Sequence, residues 1–149
     1  MICPKCLHGK TKVYNSRLTR HNNQTWRRRT CESCGYCFTT REIVEADKLL
    51  SVETRAGERK PYSRSRIFLD IANAATHLPD VSEIAQQLTE TVEARLLKQA
   101  RDGVIYSSEI AKVVMKTLKA FDLKAYLRYT SEYEAIQDSR DLKNLLKET

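Results

Sequence analysis

Apolar residues in the second half of the chain recur at the spacing of amphipathic helices. The clearest stripe has an apolar residue at every fourth position, namely at Ile84, Leu88, Val92 and Leu96. Side chains four residues apart share one helix face, and such a face usually packs against a protein core. Comparable stripes predict four helices, which we expect to begin near Ser63, Ser82, Ser107 and Leu123, the last ending near Ile136. We interpret these stripes as core positions without chemistry of their own.

Two short segments between the predicted helices are typical of β-strands. Residues 49–54 alternate and end at a turn over residues 55–58, and Val104–Tyr106 is a brief β-prone run. Residues 47–140 are therefore predicted to form a mainly helical domain with a short β element. A C-terminal tail follows over residues 141–149, with apolar positions at Leu142, Leu145 and Leu146.

The first 46 residues have a different pattern. β-Prone runs occupy residues 11–15, 24–30 and 36–40, and a turn-rich stretch at residues 20–23 separates the first two. Three short antiparallel strands followed by a helical domain make the predicted fold class α+β. A segment of this size with so few large apolar side chains cannot form a stable core alone, so it needs another source of stability.

Cysteines in this segment have the spacing of a metal site. Two CxxC pairs are separated by 24 residues, and their members are Cys3, Cys6, Cys31 and Cys34. Zinc takes four ligands in a tetrahedron, and two intervening residues let one tight turn supply two thiolates. Gly35 suits the turn after the second pair, whereas the first pair has its glycine two positions later, at Gly9. We expect these four cysteines to bind one structural Zn2+ ion in a zinc ribbon over residues 1–46, which folds only with the metal.

Other uses of the cysteines stay open. Five is an odd number for a disulfide framework, and cysteines in a reducing compartment more often bind metal or remain free thiols. Residues 31–37 contain a CxxCxxC run that is compatible with an iron–sulfur cluster, but Arg41 stands where the usual fourth cysteine would be. We expect Cys37 to be a small apolar filler in the third strand. His8 and His21 are expected at the surface.

The composition excludes several classes of protein. With 41% hydrophobic and 30% charged residues, the 149-residue chain suits a soluble globular protein and is too short for a large multi-domain enzyme. No run approaches the roughly 18 apolar residues that span a membrane. The N-terminus lacks the apolar core of a secretory signal, so we expect a cytoplasmic protein without a membrane partner.

The net charge of +7 is concentrated near the N-terminus. Residues 1–46 carry nine Lys/Arg and three Asp/Glu, whereas residues 47–149 carry 17 and 16. Lys and Arg that neutralise phosphates release counterions, and Arg can also read guanine edges. Alternation along the second strand sends Arg28 and Trp26 to one face and Arg27 and Arg29 to the other. Together with Arg17, these three arginines are expected to contact nucleic acid; the alternative is a solvated basic face.

Two features of the predicted helical domain go beyond packing. Five basic residues surround a glycine turn and a helix start, namely Arg55, Arg59, Lys60, Arg64 and Arg66. Helix starts favour anions, so these cations would suit a polyphosphate, although surface Lys and Arg are common. Tyr126, Tyr129 and Tyr133 lie three and four apart, and they either pack on the core or stack on a base. Walker and GxGxxG motifs are absent, so we expect a binding protein and not an enzyme.

A specific combination of motifs runs through residues 1–140. They are Cys3-Pro4-x-Cys6, Asn15-Ser16-Arg17, Arg27-Arg28-Arg29 before Cys31-x-x-Cys34, Phe38-Thr39-Thr40, Arg55-x-Gly57, Pro61-Tyr62, Ser107-x-x-Ile110, Val114-Met115-x-x-Leu118 and Asp122-x-x-Ala125-Tyr126-x-Arg128-Tyr129-x-Ser131-x-Tyr133. In this order they resemble the bacterial ribonucleotide-reductase repressor family (NrdR), in which a zinc ribbon precedes an ATP-cone. The chain departs from the family pattern at Asn15, Cys37, Thr54 and Lys60.

The resemblance implies a nucleotide-sensing transcriptional repressor. Such proteins bind operator boxes in double-stranded DNA upstream of ribonucleotide reductase genes. ATP or dATP, with Mg2+, binds to the ATP-cone and changes both the size of the homo-oligomer and its affinity for DNA. Carried over to this chain, the ATP-cone is residues 47–140, and its nucleotide-binding positions are Val52, Thr54, Arg55, Lys60, Arg66, Tyr126 and Tyr129.

A second function class is compatible with the same residues. The chain could be an allosteric nucleotide-binding partner whose zinc ribbon docks on RNA polymerase or on an enzyme. In that case the basic strand would contact a protein, and the chain would not bind free DNA.

Overall fold

The computed structural model describes residues 1–19 and 24–133 and divides the chain into two compact units. The first unit contains residues 1–45, and the second begins at Ala46. The predicted turn at residues 20–23, with Arg20 and His21, lies outside the described residues. So do the end of the last helix near Ile136 and the tail at 141–149.

The first unit is built on a three-stranded antiparallel sheet, as predicted. The order is β1 (Thr11–Thr19), β2 (Gln24–Cys31) and β3 (Cys37–Ile43). Strand β1 is four residues longer than expected, because its polar second half stays paired with β2 as far as Thr19 opposite Gln24. A bulge between Val13 and Asn15 shifts the register within β1.

This first unit buries little apolar surface. Among its described residues, the buried apolar side chains are those of Cys3 and Cys31, and Gln24 is the buried polar one. The expectation that Cys37 fills a small apolar space is wrong, because its side chain is exposed. Its Sγ atom instead lies 3.7 Å from the carbonyl oxygen of Gly35. The sheet therefore has no conventional hydrophobic core to hold it together.

The second unit combines a small sheet with four longer helices. Its elements are α1 (Ala46–Leu49), β4 (Ser51–Glu53), β5 (Arg59–Pro61), α2 (Arg64–Ala74), α3 (Val81–Gln99), β6 (Val104–Tyr106), α4 (Ser107–Phe121) and α5 (Leu123–Tyr133). The sheet order is β5–β4–β6, with β4 antiparallel to β5 and parallel to β6. Helix α2 packs on α3 and α5, and α4 packs on α3 and α5. The predicted α+β class, with a mainly helical second domain, is confirmed.

The apolar stripes form one core, as expected. Its most completely buried large side chains are Ile71, Val92, Leu96, Ile105, Val114 and Leu118. The predicted strand over residues 49–54 is partly wrong, because Leu49 ends a short helix and only Ser51–Glu53 is extended. The segment Arg59–Pro61 was not predicted as a strand. It is exposed along its whole length, so it has no buried side chains to produce a hydrophobic pattern.

Of the three predicted serine helix starts, one has the expected geometry. The Ser63 hydroxyl accepts a hydrogen bond from the backbone N–H of Arg66, 3.4 Å away. Helix α3 begins at Val81, before Ser82, and α4 begins at Ser107 itself. At α4 the capping contact comes from inside the helix. The Glu109 carboxylate accepts a hydrogen bond from the N–H of Tyr106, the residue just before the helix.

A tight turn connects β4 to β5 and fixes the residues at its ends. Gly57 has a φ angle of +77°, which an L side chain rarely adopts, and its N–H donates to the Thr54 carbonyl at 3.0 Å. The N–H of Thr54 in turn donates to the Glu58 carbonyl at 2.9 Å. This hairpin therefore fixes Thr54, which directly follows β4, relative to Lys60 on β5.

Candidate metal centre, basic sheet face and phosphate pocket

Four thiols converge at one end of the first unit. The Sγ atoms of Cys3, Cys6, Cys31 and Cys34 all lie within 4.8 Å of one another. Cys3 and Cys34 are 3.8 Å apart, and Cys6 and Cys31 are 3.6 Å apart. A tetrahedral zinc ion with Zn–S bonds of about 2.3 Å requires S–S separations of about 3.8 Å. The thiols are therefore already placed at the corners of a zinc site, which supports zinc as the metal.

The two CxxC turns have the same backbone geometry. The N–H of Leu7 donates to the Cys3 carbonyl at 3.0 Å, and the N–H of Gly35 donates to the Cys31 carbonyl at 3.1 Å. Both residues have positive φ angles, +58° at Leu7 and +68° at Gly35. The delayed glycine at Gly9 therefore does not serve the first turn. Leu7 adopts the left-handed conformation in its place, which a leucine at this position does not indicate.

Backbone amides and neighbouring thiols make the four cysteines electrostatically unequal. Hydrogen bonds from the N–H groups of Cys34 and Ser33 lower the pKa of the Cys31 thiol to about 6. The N–H of His8 lowers the pKa of Cys6, but the other thiols, Cys34 foremost, and desolvation together raise it to about 12. Thiolates this close repel one another, so a divalent cation is needed before all four can lose their protons.

Arg17, Trp26 and Arg28 lie on one face of the three-stranded sheet. They line a shallow depression of about 390 Å³ together with Asn15, Thr19 and Thr39. Trp26 and Arg28 are exposed, as alternation along β2 predicts. This face therefore presents guanidinium groups next to an accessible indole ring.

The opposite face holds the other two predicted arginines in protein contacts. The Arg27 guanidinium forms an ion pair with Glu42 at 2.9 Å. The Nε–H of Arg29 donates to the Thr40 hydroxyl at 3.3 Å. The structure thus divides the four predicted arginines, with Arg17 and Arg28 on one face and Arg27 and Arg29 on the other.

In the second unit, a pocket of about 500 Å³ lies between the β4–β5 hairpin and two helices. Its lining residues are Thr54, Arg55, Ala56, Glu58, Lys60, Ser107 and Tyr133. The Lys60 ammonium lies 2.9 Å from a Glu58 carboxylate oxygen, and this contact lowers the pKa of Glu58. Two cations, a hydroxyl at the start of α4 and an aromatic ring are groups that suit a nucleotide.

The pocket includes three of the seven predicted nucleotide-binding residues. Thr54, Arg55 and Lys60 line it, whereas Val52, Arg66, Tyr126 and Tyr129 are not among its lining residues. Val52 packs against the core, where Tyr126 and Tyr129 are buried. Burial, followed by nearby Asp70 and Tyr133, raises the pKa of the Tyr129 hydroxyl, and the positive charge of Arg66 on α2 opposes this rise.

Part of the pocket lining is not evident from the sequence. Ala56, Glu58 and Ser107 were not predicted to bind nucleotide, and Tyr133 was expected only to pack on the core or stack on a base. The Tyr129 and Tyr133 rings are stacked with centroids 6.1 Å apart, so the buried ring supports the exposed one. The four-residue spacing was the available signal, but it does not say which ring reaches the pocket.

Two family models together match most of the chain. Residues 1–42 match the family described as transcriptional repressor NrdR-like, N-terminal domain, and residues 50–139 match the ATP cone domain. These matches agree with the zinc-ribbon and ATP-cone resemblance drawn from the motifs. They cover the four-cysteine cluster and the cationic pocket, respectively.

Relatives named transcriptional repressor NrdR align with nearly the whole chain. The protein from Streptococcus suis strain 05ZYH33 is 36% identical over 148 residues, which cover 99% of this chain and 90% of the relative. A Streptococcus thermophilus relative is also 36% identical, with 99% and 92% covered. One from Lactobacillus delbrueckii subsp. bulgaricus is 38% identical over 138 residues, or 93% and 88%.

These names describe a regulatory role and not an enzymatic one. Within the described part of the chain, no helix has the length and apolar character needed to cross a membrane. The match to the zinc-ribbon model precedes the match to the ATP-cone model along the chain, and the alignments with the relatives extend through both. The chain therefore belongs to the NrdR family of transcriptional repressors, with a zinc ribbon followed by an ATP-cone.

Proposed function

We propose that this chain is a zinc-dependent repressor that senses nucleotides and binds operator boxes upstream of ribonucleotide reductase genes. The observation that carries the proposal is the four-thiol cluster, which fixes a sheet bearing an exposed guanidinium face. In the same chain, an ATP-cone presents a cationic pocket of nucleotide size. The first site would bind the operator and the second would bind the signal.

The metal has a structural role in this proposal. Cys3, Cys6, Cys31 and Cys34 would hold one Zn2+ ion, with no open position for a substrate. The ion would join the two CxxC turns and so set the register and the facing of β1, β2 and β3. DNA binding depends on this because arginines on an unfolded segment have no common face.

The DNA contacts are proposed for the arginines of the ribbon, Arg17 and Arg28 first. Each guanidinium that neutralises a phosphate releases a counterion, so affinity should fall as salt rises. The four arginines expected from the sequence do not share a face, and Arg27 already pairs with Glu42. We therefore expect the four arginines to contribute unequally to the affinity for DNA.

The effector is proposed to be ATP or dATP, bound with Mg2+ in the ATP-cone, which we delimit as residues 47–140. Arg55 and Lys60 would contact the phosphates, and Tyr133 offers a ring to the base or sugar. Thr54, which also lines the pocket, would lie next to the phosphates. Val52, Arg66, Tyr126 and Tyr129 would shape the site indirectly, because they do not line the pocket.

Nucleotide binding is proposed to control the homo-oligomer and hence the affinity for DNA. A ligand shifts such an equilibrium only by its difference in affinity between the competing assemblies, typically about 1–3 kcal/mol. The protein would act in the bacterial cytoplasm, on the nucleoid when it is bound to DNA. ATP and dATP would select different oligomers, which present pairs of ribbons at different spacings.

A mobility-shift experiment without RNA polymerase tests this function. The probe is the intergenic duplex that precedes the ribonucleotide reductase genes of the source organism, with an unrelated duplex of equal length as control. We expect specific retardation that changes between ATP and dATP, and parallel mass photometry should show a change of oligomer. Retardation that appears only when polymerase is added would favour the docking alternative and contradict the proposal.

A further inference from the structure

One face of the ribbon sheet carries a row of cation, aromatic ring and cation. In the sheet register, Trp26 on β2 lies opposite Arg17 on β1 and opposite Arg41 on β3. Directly opposed residues of antiparallel strands point to the same face. The Arg41 guanidinium lies over the Trp26 ring, 5.2 Å from its centroid, and the Trp26 side chain is 42% exposed.

A second row lies two residues along the strands. Arg28 is opposite Asn15 on β1 and Thr39 on β3, and all three line the depression that Trp26 also lines. The face thus combines three guanidinium groups, one indole ring and short polar side chains. Sheet faces usually bury apolar residues, so an exposed Trp among arginines favours contact with a charged partner that also has apolar edges.

The opposite face is less suited to a polyanion. Its Arg27 is paired with Glu42, so a carboxylate stands beside the cation. Its Arg29 donates to Thr40 within the sheet. A phosphate approaching this face would meet the negative charge of Glu42 beside Arg27.

We propose that a DNA duplex lies on the face that carries Arg17, Trp26, Arg28 and Arg41, and that Trp26 and Arg41 are direct contacts in addition to Arg17 and Arg28. This inference rests on the proposed DNA-binding function. Arg17 and Arg41 lie two strand spacings apart, about 10 Å. This separation lies between the width of the minor groove of DNA, about 6 Å, and that of the major groove, about 12 Å. The two guanidinium groups contact phosphates beside a groove, and Trp26 contacts sugar and base edges between them.

The cation–π contact also explains how Arg41 would be positioned. A guanidinium already held over an indole ring loses less conformational freedom when it binds a further partner. Trp26 therefore acts both as an apolar contact and as a positioning residue for Arg41. Removing the ring should weaken the contribution of Arg41, which makes the two substitutions non-additive.

Trp26 is the only tryptophan in the chain, so its fluorescence tests the assignment directly. The full-length zinc-loaded protein is titrated with the labelled intergenic duplex, and DNA anisotropy and tryptophan emission are recorded in the same cuvette. We expect quenching of Trp26 and its protection from acrylamide at the same DNA concentrations that raise the anisotropy. Bound DNA without any change in Trp26 would overturn this inference alone. No specific binding of the duplex would overturn the proposed function with it.

Charge-matched variants on the two faces give an independent test. Arg41→Gln and Arg28→Gln should each lower the slope of log affinity against log salt by about 1, whereas Arg27→Gln should not. Trp26→Leu should weaken binding while lowering that slope less than Arg41→Gln does, and Arg41→Gln should then cost less in the Trp26→Leu background. Zinc content confirms that each variant retains the ribbon. An equal loss of slope in Arg27→Gln, or an unchanged slope in Arg41→Gln, would overturn the proposal.

Discussion

Removing the metal should unfold the first unit while the helical unit stays folded. Within the described part of residues 1–45, the buried apolar side chains are those of Cys3 and Cys31. Burying side chains of this size contributes about 1–2 kcal/mol each. A structural zinc ion contributes about 10–16 kcal/mol, which matches or exceeds the whole stability of a small domain at about 5–15 kcal/mol. The first unit should therefore have no stable fold without its ion.

The sole tryptophan makes this prediction measurable. Trp26 lies on β2 of the first unit, whereas the core of the second unit has no tryptophan. A strong chelator should shift the Trp26 emission to that of an unfolded chain and expose residues 1–45 to proteases. Most of the helical circular dichroism should remain, because α2–α5 pack around their own core. Restoring zinc should reverse the change.

Two cysteine variants separate ligand loss from thiol loss. Cys34→Ser removes a member of the four-thiol cluster and should reproduce the effect of the chelator. Cys37→Ser removes an exposed thiol outside that cluster and should leave both zinc content and Trp26 emission unchanged. Native Trp26 emission and protease resistance in protein that elemental analysis shows to have lost its zinc would contradict this prediction.

Three further predictions concern the second unit. Leu118→Ala removes a fully buried side chain from the core and should destabilise the unit by about 2–5 kcal/mol in urea denaturation; a loss below about 1 kcal/mol would contradict the packing. Asp122→Ala should cost about 1 kcal/mol, because the carboxylate accepts from the Ala125 N–H at 2.7 Å. That bond and the adjacent His77 lower the pKa of Asp122. The wild type should therefore lose this stability as pH falls below the unfolded-state pKa of about 3.9. The stability of the variant should not show this pH-dependent loss. Glu58→Gln removes the anion beside Lys60 and should tighten ATP binding by about two- to fivefold in calorimetry, the equivalent of an exposed ion pair; weaker binding would show that Glu58 assists the ligand.

Regular spacing in the sequence predicted those features that depend on local periodicity. Alternation alone placed Trp26 and Arg28 on one face of β2, and the structure places them there. The stripe that contains Val92 and Leu96 is part of the core for the same reason. The two CxxC pairs predicted the four-thiol cluster, because a tight turn brings cysteines three positions apart to a common point.

Features that depend on contacts distant in sequence could not be predicted. Arg59–Pro61 becomes a strand because β4 pairs with it, and its exposed side chains give no hydrophobic signal. Ser107 joins the pocket because β6 pairs in parallel with β4, a contact more than 50 residues away in sequence. The cation–π contact of Arg41 with Trp26 likewise depends on the β2–β3 register, which neither residue indicates alone.

The two cationic sites differ in how firmly the fold holds them, and this difference suits their proposed roles. The ribbon arginines stand on a sheet that a zinc ion would anchor through the thiol cluster, so their spacing would be set before DNA binds. The cationic pocket of the second unit instead includes Lys60 on β5, an exposed edge strand of three residues joined to β4 through the Gly57 turn. Its other wall belongs to α4 and α5, through Ser107 and Tyr133. A nucleotide that contacts both walls would stabilise the hairpin against the helices, because edge strands with few buried contacts open most easily. The free energy of nucleotide binding would then favour one arrangement of the surface of the second unit over another, and so one homo-oligomer over another.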